Sequence, residues 1–326
     1  MPRAGWSITT TPDELREGLF GQIVLFVFEV LPYLYRQGIF PRWDIKSRLY
    51  GTPPGYTIIP GVLDLAYVPP SRPSREITLS ALRELHISVL GSDWDHMHRL
   101  WHAYFRIPDR IQAAADRVGL GAGTLGLHYR GNDKNQNAWD TNPVAQHDFL
   151  TLARDFSKSR PDIEQVFVAT DEYSFVAEAR GQLAPLPVVN LGEVGFHKAG
   201  PADTLDKADR AVLDCVLLSR CRYVLKCSSA LSAFAKVLDP RLESYRVAAS
   251  KLYTDVPYFP EAYIPRLTST DPVCREILER QMADDWLTND DARARFGAGF
   301  RTQHRFGLRT RLKRRLKARL KPFMSG

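Results

Sequence analysis

The sequence predicts an α/β fold organised on a doubly wound parallel sheet. Between residues 124 and 238, short apolar runs alternate with segments of helical periodicity. That alternation is the pattern of parallel strands whose crossover helices cover both sheet faces. The run that opens at Thr124-Leu125-Gly126-Leu127 reads as a buried strand, and it ends in a burst of polar groups: His128, Arg130, Asn132, Asp133 and Lys134. Open α/β sheets build sites at such places, outside the carboxyl ends of their strands. At 326 residues the chain exceeds the roughly 250–300 residues at which a single core stops growing, so two domains are expected.

The elements follow in order. Trp6–Thr10 reads as a first strand. A glycine-bearing loop, Gly18-Leu19-Phe20-Gly21-Gln22, leads into an amphipathic helix that ends near Gln37. Gly18 and Gly21 would let backbone approach a ligand or turn sharply; a plain helix start with no ligand is the preferred reading of this signal taken alone. Phe40–Pro73 is rich in Pro, Gly and aromatics, with short strands at Tyr56–Ile59 and Val62–Val68, and Ile87–Leu90 is another strand. His98 and His102 are four apart, as zinc ligands on a helix can be. No third ligand accompanies them, so they read as polar groups facing a cleft. A helix over Pro108–Val118 leads back to the central strand. Gly121–Gly126 matches G-x-G-x-x-G, but a helix precedes it and a strand follows, the reverse of the dinucleotide fingerprint.

Beyond the central strand, Asn135–Pro143 is a polar loop and His147–Phe156 a helix. Gln165–Glu172 is a strand ending in acids, Tyr173–Leu183 a helix and Leu186–Asn190 a strand. Gly195–Leu205 is a loop able to cover a ligand. Ala208–Ser219 is an apolar helix, Tyr223–Cys227 a strand, and Ser228-Ser229 starts a helix to Leu238. Pro257–Pro265 reads as a crossing segment, with helices after it. The expected divisions are 1–118, 119–262 and a C-terminal helical region, 263–326.

Charge is unevenly spread. The net charge is +7, yet ten Lys/Arg and no acid lie within 301–322. Taking those ten from the 44 basic residues leaves 34 against 37 acids, so the body is mildly acidic and the basicity belongs to a tail. In that tail Leu308, Leu312, Leu316 and Leu320 recur every four residues. They make a basic amphipathic helix suited to an anionic membrane surface; a solvated tail is the plainer reading. Nucleic acid is not expected as a partner, since no nucleic-acid motif accompanies the acidic body. Four cysteines do not make a disulfide framework at this size, which suggests a reducing, cytoplasmic setting. Met1–Thr11 lacks a secretory pattern, and Ile23–Tyr35, broken by Glu29 and Pro32, is too short to span a bilayer.

Three constellations carry chemistry. Arg130 offers a planar fork of donors suited to phosphate, and Lys134 adds a second charge; alternatively both pair with Asp133 at the surface. Asp214 lies inside the apolar run Val212–Leu218, where a carboxylate is costly unless paired and hydrogen-bonded. It either faces a site, where it could accept two parallel N–H bonds from a guanine edge, or bridges to Arg210 or Arg222. Ser228-Ser229 stands between a strand and a helix, where hydroxyls cap and helix N–H groups can also bind phosphate. Arg130, Asp171 and Ser228-Ser229 would share one sheet edge, a set suited to a nucleoside diphosphate held without a metal.

The order of these blocks resembles the GDP-fucose transferase superfamily, which contains the α1,6-fucosyltransferases and the protein O-fucosyltransferases. Three stretches carry the resemblance: His128-Tyr129-Arg130-Gly131-Asn132-Asp133-Lys134, Val168-Ala169-Thr170-Asp171-Glu172, and Leu213-Asp214 through Cys227-Ser228-Ser229-Ala230. Gly18–Gln22 is similar to the family's first glycine-rich loop. The resemblance covers about 120–240. It implies a GT-B-like pair of Rossmann-like domains with a cleft between them. The C-terminal domain would bind a GDP-sugar as co-substrate, and the N-terminal one a glycan or lipid-linked acceptor. Transfer would be inverting and need no metal or other cofactor. On that model Arg130 holds the β-phosphate, and His128 and Asp214 contact the nucleoside. Ser228, Ser229 and Ala230 bind phosphate, and Lys134 lies near the acceptor. The sequence departs from some relatives in having Ala138 where they carry a candidate basic glutamate; Asp133, Asp140 and Asp95 are the alternatives. A nucleotide-sugar-binding protein without transferase activity, and a membrane- or nucleic-acid-binding module, are the competing readings.

Overall fold

The computed structural model describes residues 5–15, 18–86, 94–131, 145–192, 204–227 and 229–247. The expected strand Ile87–Leu90, the Pro257–Pro265 segment, Cys274 and the whole of 263–326, where the basic helix was expected, lie outside the described residues.

The N-terminal half begins with β1 (Trp6–Thr9). A π-helical turn, Leu19–Val24, runs directly into α1 (Leu25–Arg36). Then come β2 (Arg42–Lys46), β3 (Thr57–Ile59), β4 (Asp64–Leu65), β5 (Arg75–Thr78) and α2 (Leu79–His86). α3 (Trp94–Tyr104), β6 (Phe105–Arg106) and α4 (Asp109–Val118) complete this half. Its sheet has the order β3-β2-β1-β5. β1 is parallel to β2 and β5, while β3 is antiparallel to β2.

The plain helix start holds against the ligand loop, and the length of the helix is corrected. Gly21 and Gln22 sit inside the helical turn, with Gly18 at its N-cap, so the glycine-bearing loop is a helix start. The helical stretch Leu19–Arg36 is also longer than the sequence suggested. By length and composition it could cross a membrane, but 61% of it is buried inside the protein. Glu29, 3% exposed, pairs with Arg83 of α2 at 2.6 Å, and burial still holds its pKa up. A charged residue at that depth persists because its partner is built into the neighbouring helix.

From 124 to 238 the C-terminal half matches the expected alternation, and β11 beyond it was not expected. It contains β7 (Thr124–Tyr129), α5 (Gln146–Lys158), β8 (Gln165–Thr170), α6 (Tyr173–Gln182) and β9 (Val188–Val189). α7 (Thr204–Ser219), β10 (Tyr223–Lys226), α8 (Ala230–Leu238) and β11 (Glu243–Arg246) follow. The sheet order is β11-β10-β7-β8-β9, parallel throughout. β9 keeps two residues of the expected five, because Pro187 has no N–H to give the ladder. Val62–Val68 likewise reduces to β4.

Strand alternation divides the core. Leu125, Leu127 and Tyr129 face α5 and α6, where Tyr129 stacks on Phe175 at 4.3 Å. The other face of β7 carries Gly126 and His128. A Cβ on Gly126 would meet Cys221, Leu218 and Val224 side chains at 3.0 Å, so the glycine lets α7 lie close on the sheet. α8 is shared between the halves: the Phe234 ring meets Phe20, Phe28 and Trp101 at 5.6, 5.7 and 4.7 Å. One apolar cluster therefore runs from α1 and α3 through α7 and α8. α7 is pinned along its length to α4. Arg110 makes paired 2.7 Å bonds to Asp209, and Arg220 bonds Asp116 and Gln112 at 2.7 Å.

Candidate functional site

The fold brings together what the sequence spaced apart. His128 and Arg130 lie two residues apart at the C-terminal end of β7, hence on one side. Asp171 follows β8, the neighbouring strand, and α7 lies across this edge. Lys207, Arg210, Ala211 and Asp214 follow one another at helical spacing and present one face of α7 to a pocket. His128, Tyr129 and Arg130 line it from β7, and Thr170 with Asp171 from β8. Leu231 of α8 and Tyr50, from the turn after β2, close it. The cavity volume is about 90 Å³, several times the ~10–15 Å³ that one water needs.

Arg130 and Asp171 approach to 3.9 Å, and the Gly131 N–H donates to the Asp171 carboxylate at 3.0 Å. A side chain on Gly131 would collide with Glu172, so the turn that carries Arg130 out of the strand needs glycine. Asp214 pairs with Arg210, one turn before it, at 3.6 Å, and lines the pocket as well. Both of its sequence readings hold together: it bridges to Arg210, not to Arg222, and it faces the site. Burial raises its pKa to about 6 against the pull of Arg210.

His128 is 6% exposed, and its Nδ1 lies 2.7 Å from the Ser232 hydroxyl. That hydroxyl donates to the Ser229 carbonyl at 3.3 Å. With its single proton so used, the Ser232 oxygen accepts from Nδ1–H, and Nε2 keeps a lone pair. Burial, with Arg130 and Lys226 nearby, lowers the His128 pKa to about 3, so the ring is neutral. Ser229 is the N-cap of α8 in extended conformation, but its side chain makes no capping bond. Its hydroxyl is buried and meets no hydrogen-bond partner. An orphaned donor beside a helix N-terminus fits an anionic oxygen there. Ala230 opens α8 and contributes backbone to the same N-terminus.

Other expected site residues fall elsewhere. Asp133, Lys134, Asp140 and Ser228 lie outside the described residues, as do Asn135–Pro143 and most of Gly195–Leu205. Gly18, Gly21 and Gln22 do not line the pocket. Asp95 is exposed in the first turn of α3. His98 does not face a cleft as a free polar group: its Nδ1 meets the Val237 carbonyl of α8 at 2.9 Å and its ring lies 4.3 Å from His102. Among the described residues no three His, Cys, Asp or Glu side chains gather as metal ligands would. Cys215, Cys221 and Cys227 are buried free thiols with pKa values raised by burial, that of Cys227 to about 12.

The NodZ α-1,6-fucosyltransferase co-crystallised with GDP aligns with 74% of this chain and 95% of its own, at 17% identity and a TM-score of 0.50. The chain shares the NodZ fold. NodZ from Bradyrhizobium in selenomethionine form aligns over 75% and 96% at 17% identity and TM-score 0.47. POFUT1 in complex with GDP-fucose aligns over 76% and 98% at 12% identity and TM-score 0.45. No protein-family model and no curated protein matches the sequence. The likeness read from three short motifs thus holds at the level of the NodZ fold.

Lys207, Arg210 and Tyr50 line the pocket but were not expected as site residues. Lys207 and Arg210 carried a signal: they precede Asp214 by seven and four residues, on one helical face. The expected helix began at Ala208, one residue too late to include Lys207. Tyr50 had no local signal, since only tertiary packing brings it to α7.

Proposed function

We propose that the protein is an inverting, metal-independent glycosyltransferase that moves fucose from GDP-fucose to a hydroxyl of a glycan or lipid-linked acceptor. The observation that carries this reading is the meeting of Arg130, His128 and Asp214 in one pocket, at the strand ends of a sheet with the NodZ fold. Arg130 binds β-phosphate oxygens and stabilises the charge that grows there as the bond from the sugar C1 to the phosphate oxygen breaks. The electron pair leaves with GDP. The acceptor oxygen bonds C1 from the opposite face, and its proton passes to a carboxylate, for which Asp133, Asp140 and Asp95 are the candidates.

His128 Nε2 accepts a bond from the nucleoside, and Asp214 accepts from N–H groups of a guanine edge. Ser228, Ser229 and the start of α8 at Ala230 take phosphate oxygens. Arg130, Lys207 and Arg210 supply positive charge in place of a metal. The basic 301–322 segment would hold the enzyme to the inner face of an anionic membrane.

Turnover of GDP-fucose in the presence of EDTA, lost in Arg130→Ala with the fold intact, is the expected result. Binding of GDP without turnover on any hydroxyl acceptor would favour the second reading, a nucleotide-sugar-binding protein, which Ala138 in place of a glutamate supports.

A further inference from the structure

Five large hydrophobic side chains stand exposed among the described residues: Tyr35, Phe40, Val68, Leu85 and Tyr173. The first four gather at one end of the N-terminal half, the end where its parallel strands begin. There the N–H groups of Ser74 and Arg75, at the start of β5, both reach the Gly5 carbonyl just before β1. There too α1 turns back into β2. Phe40, in that turn, packs its ring on Tyr104 at 5.1 Å and on Tyr67 at 5.2 Å. The Tyr67 hydroxyl donates to the Pro41 carbonyl, and that of Tyr104 to the Ile39 carbonyl. Val68 follows Tyr67 and is 94% exposed. Burial raises the Tyr104 pKa, and nearby Tyr35 adds to the rise. Leu85 is in the last turn of α2, where His86 stacks on Tyr33 of α1 at 3.6 Å. Single exposed apolar residues are ordinary on a protein surface; a group of them marks a contact.

The charge beside this group is positive. Arg36 and Arg42 flank Phe40 in sequence, Arg72 lies between Val68 and β5, and all three are exposed. Asp44 pairs with Lys46 at 2.8 Å and Asp64 with Arg106 at 3.6 Å, so neither carboxylate is spent on those three. With Arg75 and Arg106 this end carries five exposed arginines, against two exposed acids, Glu76 and Glu84. A second copy of the chain fits poorly here, since a twofold contact would set like charges face to face. Aromatic side chains mixed with arginines, and brought to one end by several elements, suit the boundary of an anionic bilayer.

We propose that this end of the N-terminal half is a contact surface for an anionic lipid bilayer. Tyr35, Phe40, Val68 and Leu85 enter the headgroup boundary, and Arg36, Arg42 and Arg72 meet lipid phosphates. The surface is separate from residues 301–322. It is also clear of the pocket, because Tyr50, which lines the pocket, follows the opposite end of β2. The inference therefore stands apart from the nucleotide reading.

The test is co-sedimentation of the full chain with vesicles of phosphatidylcholine, alone or mixed equally with phosphatidylglycerol. Residues 301–322 are kept in every variant, so differences between variants report this surface. Wild type should bind the mixed vesicles and much less of the neutral ones. Replacing two arginines together, Arg36→Gln with Arg42→Gln, should weaken binding roughly thirtyfold, at about fivefold for each interfacial charge. Val68→Asp should weaken it by about fivefold or more, and a side chain so exposed puts little packing at risk. Circular dichroism checks that each variant is folded. Variants that bind as wild type does overturn the inference and leave any membrane contact to 301–322. Equal binding of both vesicles by wild type overturns it as well. So does binding of neither, and retention on polyglutamate in that case would assign the surface to an acidic protein.

Discussion

The Ser232 hydroxyl accepts from Nδ1–H of His128 at 2.7 Å and donates its own hydrogen bond to the Ser229 carbonyl at 3.3 Å. One hydroxyl on α8 thereby decides which ring nitrogen of a β7 histidine carries hydrogen. In ¹⁵N spectra His128 should be neutral and protonated at Nδ1 at pH 5, where an ordinary histidine is charged. Ser232→Ala removes that partner and should shift the ring toward the other tautomer, with a roughly tenfold loss of GDP affinity. A wild-type ring protonated at Nε2 would contradict the relay.

Arg130 is the side chain on which the proposed chemistry depends most. Arg130→Ala should lower kcat by about 10²–10³, the scale for loss of one charge-stabilising donor. Arg130→Lys should recover little, because one ammonium cannot reproduce the two-pronged geometry. Steady-state kinetics on both variants, with melting curves to verify folding, would check this.

Asp214 should leave a signature in stability against pH. Its folded pKa is about 6 against an ordinary 3.8, so between those values the folded state binds more protons than the unfolded one. Stability from this group is therefore lost as pH rises through that window, by about 2–3 kcal/mol at most. His128 works in the opposite sense: its folded pKa of about 3 lies below the ordinary 6.5, so it adds stability as pH rises. Urea titrations of wild type and Asp214→Asn from pH 4 to 7 isolate the first effect. Relative to the variant, wild type should lose stability across the range; a constant difference would refute the assignment.

Gly126 should tolerate no side chain. Gly126→Ala sets a methyl against three side-chain atoms at 3.0 Å and should cost about 1–3 kcal/mol, as overpacking does. Because the displaced element is α7, GDP affinity should fall with it although Gly126 does not itself line the pocket of Arg130 and Asp214. Unfolding and binding measured on the same variant would show whether the two losses travel together.

The C-terminal sheet was legible because its central strands β7, β8 and β10 are buried on both faces and each crossover is a helix of nine or more residues. Period and composition then agree. The N-terminal half was less so. β2 hides in a Pro- and Gly-rich segment, yet Trp43 and Ile45 alternate with Arg42, Asp44 and Lys46, and only the two apolar residues are buried. β5 is a short edge strand whose residues stay largely exposed, so nothing apolar marks it. In the site, Arg130 and Asp214 were readable as charged groups in apolar surroundings. The Ser232–His128 contact and the place of Tyr50 in the pocket were not, because each brings together residues more than a hundred positions apart.

The Phe234 ring, set among Phe20, Phe28 and Trp101, has a consequence during synthesis. The apolar side of α1 leaves the ribosome before α8, and its partner Phe234 emerges some two hundred residues later. At about 5–20 residues per second that is a delay of roughly 10–40 s. For that interval a helix apolar enough to cross a membrane is exposed on the nascent chain, without the residue that will cover it. Nascent chains stalled before residue 230 should accordingly be held by chaperones, and those released beyond α8 should not.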